Sequence, residues 1–123
     1  MAIRVVVVDD HADMRAMLSA ILTKRAGFTV VGDAENGMEG VAVTVEERPD
    51  VVLLDLSMPD MDGLTALGEI RRLAPDSKVI VLSAFGTERA VTVALESGAA
   101  GFVHKGSDLL TALPAAIREV LVV

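Results

Sequence analysis

Four consecutive apolar residues, Val51 to Leu54, carry a lone carboxylate, Asp55, up to a break at Met58-Pro59 and a turn that closes on Gly63. A short apolar run rich in Val and Leu and bounded by turn residues predicts a strand buried on both faces. A residue at the carboxyl end of such a strand sits on the rim where open α/β sheets bind their ligands. The rest of the chain reads as apparatus around Asp55.

The flanking segments supply the sheet. Ile3 to Val8 is short and β-branched, which predicts a first strand, and it ends in Asp9-Asp10. Met14, Met17, Leu18, Ile21 and Leu22 recur at helical spacing with one face inward, and Gly27 caps that helix at its C-terminus. Phe28 to Val31 predicts a second strand. Gly37 to Arg48 predicts a second helix with Met38, Val41, Ala42 and Val45 inward, ended by Pro49. After the strand that carries Asp55, Leu64 to Leu73 predicts a third helix. Lys78 to Leu82 predicts a fourth strand, ending at Ser83-Ala84. Thr87 is the expected N-cap of a fourth helix running to Ser97, with Gly98 after it. Gly101 to Val103 begins a fifth strand that ends at His104-Lys105. In the tail, Pro114 conflicts with a helix begun near Ser107. A start capped by Thr111 puts that proline in the first turn, where its missing N–H costs little, and leaves a loose turn over Asp108 to Leu110. Strands alternating with helices five times predict a doubly wound α/β fold, one parallel sheet covered on both faces, as a single domain over residues 1–123.

Composition narrows the function. The 52% hydrophobic share is ample for a core, and with aromatics at 2% that core must be filled by Val, Leu, Ile, Ala and Met. Met14, Met17 and Met38 are expected there. A net charge of −7 argues against a domain that grips phosphate backbones, so no nucleic acid is expected on it. Cysteine is absent, which excludes disulfides and thiol chemistry. The first apolar run holds Arg4 and is too short for a signal peptide or a membrane span. The chain therefore reads as soluble and cytoplasmic.

In a parallel sheet the strand ends share one rim, so Asp9, Asp10, Asp55, Ser83 and Lys105 converge there. Unit charges about 4 Å apart repel by on the order of 4 kcal/mol at an effective dielectric of about 20. Three carboxylates so close call for a cation or a proton. Magnesium prefers oxygen ligands and typically takes one or two carboxylates with a phosphate oxygen. Asp10 and Asp55 are the candidate direct ligands, Asp9 acts through water, and the Ser57 carbonyl completes the protein share. With no Cys and no paired histidines, a zinc site is not expected. A carboxylate facing a dication, a hydroxyl and a lysine suits phosphoryl chemistry. Asp55 is the nucleophile that would become an acyl phosphate, Lys105 would neutralise phosphoryl oxygens, and the Ser83 hydroxyl would donate to one of them. His11 and His104 are expected to face solvent, and Asp60 and Asp62 to be turn residues.

The segments Val8-Asp-Asp10, Asp55-Leu-Ser-Met-Pro-Asp-Met-Asp-Gly63, Ser83-Ala84 and Gly101-Phe-Val-His-Lys105 together resemble the receiver domain of two-component response regulators. The resemblance covers essentially the whole chain. It implies a flavodoxin-like five-stranded sheet of order 2-1-3-4-5. It implies magnesium-dependent transfer from a sensor histidine kinase to Asp55, with Asp9, Asp10, Asp55 and the Ser57 carbonyl at the metal. Ser83 and Lys105 would hold the phosphoryl group, and Ser83 and Phe102 would form the switch, Phe102 standing where many members have tyrosine. The surface of the fourth helix, fifth strand and fifth helix would serve output and homodimer formation. His11, Val30-Val-Gly-Asp-Ala-Glu-Asn-Gly37 and Lys105-Gly106 are most similar to receivers of LuxR/NarL-type regulators, whose C-terminal helix-turn-helix output domain is absent from this chain. Phe85 is placed to shield an acyl phosphate from water. One rival reading is an aspartyl-phosphate enzyme of the haloacid dehalogenase type, which needs a second acidic residue where Ser57 stands. The other is a receiver-like scaffold that is never phosphorylated.

Overall fold

The computed structural model describes residues 2–25, 27–56, 63–84 and 87–121. Strands β1 (Ile3–Val8), β2 (Phe28–Ala34), β3 (Val51–Asp55), β4 (Lys78–Ser83) and β5 (Gly101–His104) form one parallel sheet in the order β2-β1-β3-β4-β5. They alternate with helices α1 (Ala12–Thr23), α2 (Gly37–Glu47), α3 (Gly63–Leu73), α4 (Glu88–Glu96) and α5 (Leu109–Val120). The doubly wound expectation and its strand order both hold.

The unbroken apolar runs follow from having a core on each side. Val5, Val7, Val51, Leu53, Ile80 and Leu82 pack with Leu18, Ile21 and Leu22 of α1 and Leu109, Leu113 and Ile117 of α5. The intervening Val6, Val8, Val52, Leu54, Val79 and Val81 pack with Ala66, Leu67 and Ile70 of α3 and Ala94 of α4. Successive side chains on a strand point to opposite faces, so a strand covered on both sides has no polar positions to alternate.

Helix α2 turns only part of its expected face inward: Val41 packs against the core and Val45 is half-buried. Met38 is 66% exposed and Ala42 is exposed, while Gly37, Gly40 and Thr44 are buried. The helix approaches β1 on its glycine side: a Cβ at Gly40 would come within 2.8 Å of Val8 Cγ1. Met17 of α1 is also exposed, at 42%, so neither it nor Met38 fills the core as expected.

Two boundaries also differ. Strand β2 runs on through Gly32, Asp33 and Ala34, which pair with Val6, Val7 and Val8. Asp33, its one polar residue, is exposed on this edge strand, while Ala34 joins the core. Helix α5 begins at Leu109 rather than after Thr111. Asp108 is its N-cap, with Ala112 N–H donating to the Asp108 carbonyl at 2.8 Å and Thr111 Oγ1 to the Asp108 carboxylate at 3.0 Å. Pro114 then lies inside the helix and leaves the Leu110 carbonyl without its N–H. Arg25 Nη2 donates to that carbonyl at 2.9 Å, which is how the chain accommodates the proline.

The close approach of α2 predicts opposite signs for two glycine replacements. In Gly40→Ala the overpacking against Val8, about 1–3 kcal/mol, should exceed a helix-propensity gain of about 1 kcal/mol and lower stability. In Gly68→Ala of α3 the new methyl meets nothing within 4 Å, so stability should rise by about 1 kcal/mol. Denaturant titration of both variants checks the signs.

Candidate functional site

The carboxyl ends of β1, β3, β4 and β5 bring Asp9, Asp10, Asp55, Ser83 and Lys105 to one rim. Asp9 is fully buried directly after β1, its N–H donating to the Ala34 carbonyl at 3.0 Å. Its Oδ1 accepts from the His11 N–H at 2.9 Å, its Oδ2 from Lys105 Nζ at 2.8 Å, and its carbonyl from Arg15 Nη1 at 2.8 Å. Asp55 ends β3 almost wholly buried, with its Oδ1 3.3 Å from the same Lys105 Nζ. Asp10 is half-buried. Its Oδ1 is sealed from solvent and accepts no well-aligned hydrogen bond among the described residues, with His11 Nδ1 3.0 Å away. Ser83 is buried at the end of β4, and its carbonyl accepts from the Lys105 N–H at 2.8 Å.

One ligand atom from each of Asp9, Asp10, His11 and Asp55 lies within 4.8 Å of the others. Three carboxyl groups gather there, two of them on one ammonium, and the Asp10 Oδ1 is buried without an aligned donor. This donor set, rich in hard oxygen, suits a metal cation. Burial on its own would lower the Lys105 ammonium, but the hydrogen bond to Asp9 and the charges of Asp55 and Asp9 outweigh it. The group is held above the ordinary lysine value of 10.5.

Ser57 and Phe85, the expected carbonyl ligand and water shield, lie outside the described residues, as do Asp60 and Asp62. Phe102 is half-buried and, with Ala116 and Val120, lines a cavity of about 300 Å³ between β5 and α5. Both histidines are exposed as expected, yet neither is idle. His11 joins the metal-capable group. His104 places Nε2 2.8 Å from the Ala84 carbonyl and accepts from the Gly106 N–H at Nδ1, 3.1 Å. Arg15, which no sequence argument singled out, braces Asp9 and also reaches Asp33 at 3.3 Å. Its position six residues after Asp9, in the second turn of α1, is the signal that could have found it.

Residues 5–118 match the response regulator receiver domain, and the chain belongs to that family. It is 46% identical over 102 residues to the chemotaxis protein CheY of Thermotoga maritima, covering 83% of this chain and 84% of that protein. It is 42% identical over 105 residues to the transcriptional regulatory protein LiaR of Bacillus subtilis, covering 85% of this chain but 50% of LiaR. A solved CheX–CheY–BeF3–Mg2+ complex from Borrelia burgdorferi matches with a TM-score of 0.91 at 33% identity, over 98% of this chain and 90% of that one. The chain is thus similar both to a chemotaxis protein over most of that protein's length and to a transcriptional regulator of which it spans half. The chain is a receiver, a domain of phosphorylation-dependent signalling. No helix among the described residues is long and apolar enough to cross a membrane.

The Lys105 contacts carry a pH signature. A lysine whose folded pKa is raised stabilises fully below the unfolded value, and that stability is lost as pH climbs past it. Thermal stability of the wild type should therefore fall more steeply than that of Lys105→Met over about pH 9 to 12. Parallel curves would mean that the contacts of Lys105 with Asp9 and Asp55 carry no weight.

Proposed function

We propose that this receiver takes a phosphoryl group on Asp55 from a sensor histidine kinase in a magnesium-dependent reaction. The observation that carries the reading is the Lys105 ammonium, which reaches both Asp9 and Asp55 beside donors able to hold a metal. A carboxylate oxygen of Asp55 would attack phosphorus, the bond from phosphorus to the donor's leaving group would break, and an acyl phosphate would remain. Lys105 would neutralise the phosphoryl oxygens and Ser83 would donate to one of them. Asp10, Asp55 and the Ser57 carbonyl would hold magnesium, with Asp9 in its outer sphere. The bound ion supplies positive charge against the phosphoryl oxygens.

Charge added at Asp55 would shift an existing equilibrium between two conformations, with Ser83 and Phe102 relaying it to the surface of α4, β5 and α5. A homodimer would form through that surface. The likeness to LiaR supports transcription control through an attached DNA-binding domain, while the acidic receiver itself would leave nucleic acid alone. The domain would work in the cytoplasm beside its kinase.

Intact-mass spectrometry after incubation with acetyl phosphate and magnesium tests the acceptor. One magnesium-dependent phosphoryl adduct is expected in the wild type and none in Asp55→Asn; an adduct that survives the substitution would move the acceptor elsewhere. If the acidic group is strained without metal, magnesium should raise the melting temperature by binding the native state alone. Asp10→Asn should then stabilise the metal-free protein and abolish the magnesium effect. Unchanged metal-free stability in that variant would contradict the strain.

A further inference from the structure

We propose that His104 is a positioning residue for phosphoryl transfer, its imidazole clamping the residue after Ser83 to the residue after Lys105. The inference rests on the reading of Asp55, Ser83 and Lys105 given above, and it gives a role to a residue that neither the resemblance nor the metal-capable group assigns one.

The ring is tied on both sides. Its Nε2 lies 2.8 Å from the Ala84 carbonyl, and the Gly106 N–H donates to its Nδ1 at 3.1 Å. A carbonyl only accepts and an amide N–H only donates, so these partners select one form of the ring, the neutral tautomer with its proton on Nε2. The main chain of His104 is tied as well. Its carbonyl accepts from both the N–H and the hydroxyl of Ser107, at 3.1 and 2.6 Å, which closes the turn around Lys105. His104 also pairs in register with Ser83, whose carbonyl takes the Lys105 N–H. One side chain thus joins the two backbone segments that deliver Ser83 and Lys105, at the point where the β4–β5 ladder ends.

Gly106 shows that the ring's place is built in. A Cβ at that position would stand 2.8 Å from His104 Cε1 and 2.9 Å from Nδ1. The backbone there is not left-handed, so the absence of a side chain makes room for the imidazole rather than for an unusual turn. Lys105 Nζ must meet Asp9 and Asp55 at 2.8 and 3.3 Å. Misplacing such a group by about 1 Å can cost on the order of a hundredfold in rate. A backbone clamp one residue away on each strand is therefore well placed to govern transfer.

A simple strap would affect stability alone, and the test separates the two. Phosphorylation by acetyl phosphate at saturating magnesium is followed by intact mass, and magnesium affinity by calorimetry, on the 123-residue chain. His104→Ala should slow phosphorylation by about tenfold while leaving magnesium affinity within about twofold. Gly106→Ala keeps the histidine but displaces its ring, so it should show the same selective loss and carries the test if the first variant folds poorly. Because the methyl acts through the ring, the double variant should be no slower than His104→Ala alone. An unaltered rate, a parallel loss of magnesium affinity, or additive losses would each overturn the role of His104. A wild type that binds magnesium but takes no phosphoryl group would instead overturn the acceptor reading, and this inference with it.

Discussion

Burial of β1 and β3 on both faces is the constraint on which the site depends. Val5 to Val8 and Val51 to Leu54 are wholly buried between two helical layers. Neither strand can shift or tilt without opening a core. Asp9 and Asp55 follow directly from them, so like charges are held together by packing that their repulsion cannot relax. Lys105 places its ammonium against both carboxylates, which offsets that repulsion locally. Acidic residues on loops would simply drift apart.

Adjacent carboxylates on this rim are not equivalent. Asp9 is enclosed, and the His11 N–H and Lys105 occupy its two oxygens while Arg15 holds its carbonyl. Asp10 is more open, and one of its oxygens lacks an aligned donor. The first is committed to the protein and the second has coordination to spare. That division suits an outer-sphere role for Asp9 and a direct one for Asp10, and it arises from one step along the backbone at the end of β1.

Most of the fold could be read from the sequence because two-sided burial writes itself as unbroken Val, Leu and Ile runs. The cap of α4 was equally legible, since Thr87 Oγ1 accepts from the Ala90 N–H at 3.2 Å as its place before the helix suggests, whereas the caps of α1 and α5 fall at Lys24 and Asp108 rather than at Gly27 and Thr111. What escaped depends on partners distant in the chain. Periodicity cannot tell that Gly40 rather than Met38 faces the sheet, because the close approach is set by Val8. Pro114 looks fatal to an early α5 until Arg25, from the other end of the chain, supplies the donor. The rim carboxylates were visible as strand-end residues, whereas the ring contacts of His104 join two loops that only the folded sheet brings together.

The two halves of the rim differ in how firmly they are held. Asp9 and Asp55 extend from central strands. Lys105 follows β5, an edge strand of four residues. The neighbouring α4 has Ala94 as its buried residue, and a cavity of about 300 Å³ lies beside Phe102. A phosphoryl group added at Asp55 would pull on Ser83 and Lys105, and Lys105, beyond the edge strand, would yield first. Movement would pass to the side with the least packing to lose. Under the proposed function, the direction of such a signal, toward α4 and β5, would follow from unequal burial across one sheet, and the phosphoryl charge would supply the pull. His104 joins the end of β4 to the turn after β5, tied to the backbone beside both Ser83 and Lys105.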